Sequence, residues 1–255
     1  MFVFIARHGE SFATLDPDLM GRQNPCEIPL TVWGHHQALQ IGLAIADRYT
    51  SDERLRGRRL RIYTSQHQRI KQTSDAICHV LSSSVVSGRF IDENLRQRNY
   101  GIFDGLSRQG KKELDPLTYA KLHSSELRER YETIIPRGES ARQVELRIRE
   151  FLLRLQAEIC DDEDILIVNH GPQCRILKAV LTYSDPVQTV EGGEFGTGDL
   201  VMVESNEHCV VVHTLLFDER RSSDPKRHKV DAEIPHAKGP EEQKEHSIGR
   251  SNELG

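Results

Sequence analysis

Three short apolar runs limit the fold of this chain more than anything else in it: "FVFIA" ending at Ala6, "LRIYT" ending at Thr64 and "DILIVN" ending at Asn169. Each is continuous in apolar and β-branched residues rather than alternating, the pattern of strands covered on both faces in a parallel sheet. Each also stops at polar, chemically able residues: Arg7, His8, Gly9 and Glu10 after the first, Ser65 after the second, His170 and Gly171 after the third. A buried strand gains no packing from such an ending, so the residues point to a use at the edge of the sheet.

Helical patterns lie between the runs. "LTVWGHHQALQIGLAIADRY" carries Leu39, Leu43 and Ala46 at helical spacing, and "ESARQVELRIREFLLRLQAEI" sets Val144, Ile148, Phe151, Leu152, Leu155 and Ile159 on one stripe. "RILKAVLTY" reads as another helix, and "DLVMVE" and "CVVVHTLLF" read as late strands. Strands alternating with helices predict an α/β fold, a three-layer α/β/α sandwich with a mainly parallel central sheet. The sandwich is expected over residues 1–217. From Asp218 to Gly255 large apolar residues are few and charge is mixed, which predicts a disordered C-terminal tail.

Bulk properties narrow the partners. A formal charge of −5 offers no basic excess to neutralise phosphates, so no nucleic-acid partner is expected. No apolar run is long enough to span a bilayer, and no membrane association is expected. The five cysteines are scattered and odd in number, which suits reduced thiols in the cytoplasm better than disulfides or a zinc site. His35 and His36 are adjacent, but neighbours on a helix point in different directions, a poor arrangement for a metal.

Parallel sheets bind ligands beyond the carboxyl ends of their strands. Arg7, His8 and His170 should converge there, joined by Arg69 one helical turn after Ser65. Two arginine forks match phosphate oxygens, and an imidazole can serve as a nucleophile that carries a phosphoryl group. Gly9 allows close backbone approach.

The motifs themselves bear a resemblance. "ARHGES", "PLTVWGHHQA", "TSQHQRIKQTSDAI", "LRQRNYGIFDGLSR", "PRGESARQVELRI" and "ILIVNHGPQCRIL" occur in this order. The set resembles the histidine phosphatase superfamily, the clan of the phosphoglycerate mutases, over roughly residues 1 to 215. The resemblance implies hydrolysis of a phosphate monoester without metal or other cofactor, through a phosphohistidine at His8. Arg7, Arg69 and His170 would hold the phosphoryl oxygens, and Thr14, Thr31, Gln97, Tyr100 and Gly171 fall at substrate-contacting positions. The substrate would be a small phosphorylated molecule or a phosphoprotein.

Two positions depart from the family pattern. Thr14 replaces a usual asparagine, and Gln97 replaces the glutamate that protonates the leaving oxygen. Loss of a general acid typically lowers the rate roughly 10²–10⁴-fold. Three outcomes stay open: a phosphomonoesterase with a relocated acid (Glu10, Glu93 or Asp104), a mutase using Arg108 for a second charged group, or a phosphate-ligand binder without turnover. The charged segment from Lys111 to Ile135 reads as a lid or helical insert.

Overall fold

The computed structural model describes residues 1–193, 195–205 and 210–216. The expected tail lies outside the described residues. Six strands are formed: β1 (Phe2–Arg7), β2 (Arg59–Thr64), β3 (Val86–Ile91), β4 (Glu163–Asn169), β5 (Leu200–Ser205) and β6 (Val210–Leu216). The helices are α1 (Phe12–Leu15), α2 (Leu19–Arg22), α3 (Val32–Ser51), α4 (Gln68–Val80), α5 (Arg108–Leu114), α6 (Pro116–Leu122), α7 (Leu127–Glu132), α8 (Ala141–Glu158) and α9 (Gly171–Leu181).

The strands make one sheet in the order β3-β2-β4-β1-β5-β6. β1, β2, β3 and β4 are parallel, with Val3 opposite Ile165 and Arg7 opposite Asn169, while β5 and β6 run antiparallel to their neighbours. The sheet is therefore mixed but mainly parallel. Alternate side chains of the same strands enter two cores. Val3, Ile5, Ile165 and Ile167 pack with Val144, Ile148, Phe151 and Leu155 of α8 and Leu177 of α9. Phe4, Ile62, Leu166 and Val168 pack with Ile41 and Ile45 of α3 and Ile70 and Ile77 of α4. Coverage on both faces is what the continuous apolar runs required.

Two details differ from the sequence reading. The buried face of α3 is Gly34, Gln37, Ala38, Ile41, Gly42 and Ile45, whereas Leu43 is 51% exposed. The reason is close helix packing: a Cβ on Gly42 would lie 2.9 Å from the Val80 Cβ of α4, so small residues rather than leucines mark the contact. β3 carries no apolar run because it is an edge strand, with Phe90 and Ile91 exposed. The segment read as an insert forms α5, α6 and α7, of which only α7 buries a residue, Tyr131.

Candidate active site

β1, β2 and β4 lie side by side and parallel, so the residues following them meet at one edge. His8, just past β1, extends the pairing through its N–H to the Asn169 carbonyl at 3.0 Å. Its ring is 4% exposed, and Nδ1 lies 2.7 Å from the Gly9 carbonyl oxygen. A carbonyl only accepts, so Nδ1 carries the proton and Nε2 keeps its lone pair. Burial, then Arg69 and Arg7, hold the His8 pKa well below the usual histidine value, which keeps the ring neutral. Gly9 is needed for the approach of α3: a Cβ there would sit 2.1 Å from the Gly34 carbonyl oxygen.

His170 follows β4 and caps the start of α9, 2% exposed, with its ring 5.4 Å from that of His8. Arg69 lies in the first turn of α4, 2% exposed, and donates to the Pro25 carbonyl and the Gln97 Oε1, each at 2.7 Å. Its Nη2 also lies 3.4 Å from the His170 Nδ1. Arginine only donates, which puts the His170 proton on Nε2. Burial brings the Arg69 pKa down to about 10, still fully cationic at neutral pH. Arg7 donates from Nη1 to the Phe195 carbonyl at 2.7 Å. Gly171 leaves room for it, since a Cβ there would meet the guanidinium at 3.2 Å.

A buried arginine, a half-buried one and two buried imidazoles at one sheet edge match a family already suggested by the motifs. Residues 3–216 match the profile of the Histidine phosphatase superfamily (branch 1). The chain belongs to the histidine phosphatase superfamily.

Solved structures agree in fold. An alpha-ribazole phosphatase from Shigella flexneri superposes with a TM-score of 0.65 at 20% identity, over 84% of this chain and 95% of that one. YhfR of Bacillus stearothermophilus gives 0.65 at 21% identity, over 84% and 95%. A mycobacterial glucosyl-3-phosphoglycerate phosphatase gives 0.62 at 20% identity, over 84% and 97%. No curated protein matches in sequence.

Set within this superfamily, the remaining positions fall into place unevenly. Thr31 is the N-cap of α3, accepting from the Gly34 N–H at 3.0 Å and donating to Glu10 Oε1 at 2.9 Å. Thr14 donates to the Ser11 carbonyl at 2.6 Å and accepts from its N–H at 2.9 Å, closing the turn of α1. Gln97 is tied to Arg69 as described. Tyr100 has its ring beneath Arg98 and Lys111. Of the carboxylates considered as replacement acids, Glu10 is engaged with Thr31, and Glu93 and Asp104 are exposed. The charges that set the protonation of His8 and His170 are arginines and histidines, with no carboxylate among them.

One residue was not singled out from the sequence. His67, in the loop between β2 and α4, is 5% exposed and presents its ring to His170 at 4.6 Å, near-perpendicular. Ser65, fully buried, links the two: its Oγ is 3.3 Å from the His67 Nδ1 and 3.4 Å from the His170 Nε2.

Beside the centre lies a cavity of about 520 Å³. Pro172 and Gln173, directly after His170 and Gly171, form part of its wall, as do Tyr100 and Tyr119. Arg98, Arg108, Lys111, Arg130 and Arg175 also line it, against a single carboxylate, Asp18. Among the described residues, no group of three or more histidine, cysteine, aspartate or glutamate side chains is placed to hold a metal ion, and no helix is long and apolar enough to cross a membrane.

Proposed function

We propose that this protein is a phosphomonoesterase that passes the phosphoryl group through His8. The observation that carries this reading is the Nδ1 contact to the Gly9 carbonyl, which leaves Nε2 unprotonated beside Arg7, Arg69 and His170. Nε2 attacks phosphorus, the ester bond breaks, and water then releases phosphate from the ring. Arg7, Arg69 and the His170 Nε2–H stabilise the charge on the equatorial oxygens, the task a divalent cation performs in other phosphoryl transfers.

The cationic cavity favours esters whose leaving portion bears a second negative group. Its tyrosines suit a sugar ring or planar group between the two charges. The related phosphatases are named for esters of different kinds, alpha-ribazole and glucosyl-3-phosphoglycerate, so their likeness does not choose among substrates. Arg108 on the cavity wall keeps a mutase as the second reading, because a mutase needs a seat for a second charged group.

Incubation with labelled phosphomonoesters, followed by an alkaline quench, is expected to trap an acid-labile adduct on His8. His8→Ala is expected to remove both adduct and turnover, and turnover surviving in that variant would overturn the reading. Dependence of activity on a bisphosphate primer would identify the mutase.

A further inference from the structure

The phosphoryl site and the cavity meet along one seam. The Gln97 Oε1 accepts from Arg69 at 2.7 Å, and the next residue, Arg98, lines the cavity. Gln173, in the first turn of α9 after His170, lines the cavity too and donates to the Arg96 carbonyl at 3.3 Å. A phosphoryl group held at His8 thus has the cavity beside it to take the leaving portion.

Two properties of this seam restrict what the leaving portion is. The first is a shortage of acid. The charges that set the protonation of His8 and His170 belong to arginines and histidines, with no carboxylate among them. The Gln97 amide has no ionisable proton to give. An alkoxide, like hydroxide, is the base of an acid with a pKa of about 16, and it leaves poorly unless it is protonated. The dianion of a phosphate monoester is the base of an acid with a pKa of about 6, and it leaves without that help.

The second property is a surplus of cations. Arg98 donates to the Glu139 carbonyl at 2.8 Å, Arg108 to the Tyr119 hydroxyl at 2.8 Å and Arg130 to the Val190 carbonyl. Lys111 lies 5.7 Å from the centre of the Tyr100 ring. These partners are all neutral, whereas Arg96 and Arg147 close by pair with the Glu139 carboxylate. The buried Arg130 Nε has no hydrogen-bond partner among the described residues. Cations gathered with so little counter-charge repel one another, and an anion placed among them relieves the repulsion.

We propose that the substrates are organic diphosphates, in which the group displaced by His8 is itself a phosphate. The proposal rests on the phosphatase reading above and names its substrate class. In the first step the His8 Nε2 lone pair forms the N–P bond to the terminal phosphorus. The bridging P–O bond breaks with its electron pair on the oxygen of the inner phosphate. That oxygen needs no proton, because its charge is shared with the other oxygens of the same phosphate and faces the cavity cations. In the second step the oxygen of water attacks phosphorus, the N–P electron pair returns to His8, and both protons of the water depart with dihydrogen phosphate. At about 520 Å³ the cavity holds more than a phosphate group. Tyr100 and the stacked rings of Tyr119 and His123, 4.0 Å apart, offer flat faces to a sugar or base. A nucleoside diphosphate has all of these parts.

ADP, AMP and p-nitrophenyl phosphate separate the two properties. ADP has a charged phosphate leaving group, AMP an alkoxide on the same nucleoside, and p-nitrophenyl phosphate a leaving group that needs no proton but carries no second anion. The wild-type kcat/KM is expected to be roughly 10²–10⁴-fold higher on ADP than on AMP. Arg130→Gln is expected to lower kcat/KM on ADP about tenfold more than on p-nitrophenyl phosphate, and Gln97→Glu to raise the rate on AMP more than that on ADP. Thermal unfolding of each variant checks that the fold persists. A smaller preference for ADP over AMP, or an ADP rate no more sensitive to Arg130→Gln than the aryl rate, would overturn the proposal while His8-dependent turnover left the phosphatase reading standing. A wild-type protein inert towards these three and every other ester would overturn both.

Discussion

Gly171 shows how little room there is around Arg7. The Cβ of an alanine would lie 3.2 Å from the Arg7 guanidinium, tight enough to displace a flexible side chain by a few tenths of an ångström without disturbing the backbone. Gly171→Ala is therefore expected to fold normally but to lose about tenfold in kcat/KM, since small misplacements of positioning groups are felt strongly in rate. Steady-state kinetics beside a melting curve would check this. Arg7, His8, Arg69 and His170 could all be picked out of the sequence because each stands at the end of a strand or in the turn after it. His67 could not, since a histidine in "SQHQR" reads equally well as a solvated loop residue. Only the burial of its ring against His170 separates the two. Thr14 and Thr31, whose hydroxyls the sequence reading gave to substrate, have a structural part that it did not name, closing the first turns of α1 and α3.

At the scale of elements, α8 governs the position of Gln97 without touching it. Arg147 on its inner side, 7% exposed, donates to the Asn94 carbonyl and, at 2.8 Å, to the Arg96 carbonyl. It also pairs with Glu139 at 3.1 Å, and Glu139 in turn receives the Asn99 N–H at 3.0 Å. The loop from Asn94 to Tyr100 is thus held in part by one guanidinium and one carboxylate, beside the bonds from Arg69 to Gln97 and from Gln173 to the Arg96 carbonyl. Arg147→Met leaves Glu139 and two carbonyls partly unpaired, and is expected to cost about 3–5 kcal/mol of stability. It should also lower activity at a temperature where the variant is still folded, which denaturant titration with parallel assays would measure. The apolar stripe of α8 was readable because its helix packs on a sheet through Val144, Ile148, Phe151 and Leu155. That of α3 was misassigned because its helix also packs on α4 through Gly42, and glycines carry no hydrophobic signal. Parallel strand runs betray themselves by double burial, whereas β3, exposed along one edge, does not.

For the molecule as a whole, the site is a liability of folding at acid pH. His8 and His170 lie well below the ordinary histidine pKa, and His67 at about 4, because burial and arginines oppose their protonation. In the unfolded chain these rings take up protons near pH 6.5. The unfolded state then binds more protons, so their contribution to stability is complete above about pH 6.5 and is lost progressively as pH falls below it, at up to about 1.4 kcal/mol per pH unit for each ring. Melting temperature is expected to decline from about pH 6.5 downward, before surface carboxylates titrate, and less steeply in His67→Gln. Inorganic phosphate should flatten the decline, because a bound anion lets the rings charge. Scanning calorimetry across that range, with and without phosphate, would show it. The layered fold was legible from the three strand ends, while the cavity was not, because its wall is assembled from short helices, α9 and the 3-10 turn at Pro186–Val190, with no shared motif. The crowding of Arg7 and Arg69 around so small a space has one more result: orthophosphate, the second product of the proposed reaction, presents to those guanidinium groups the same oxygens that an ester does. On the phosphatase reading, free phosphate is therefore expected to compete with the ester, so that a phosphate-rich surrounding acts on the protein as a brake.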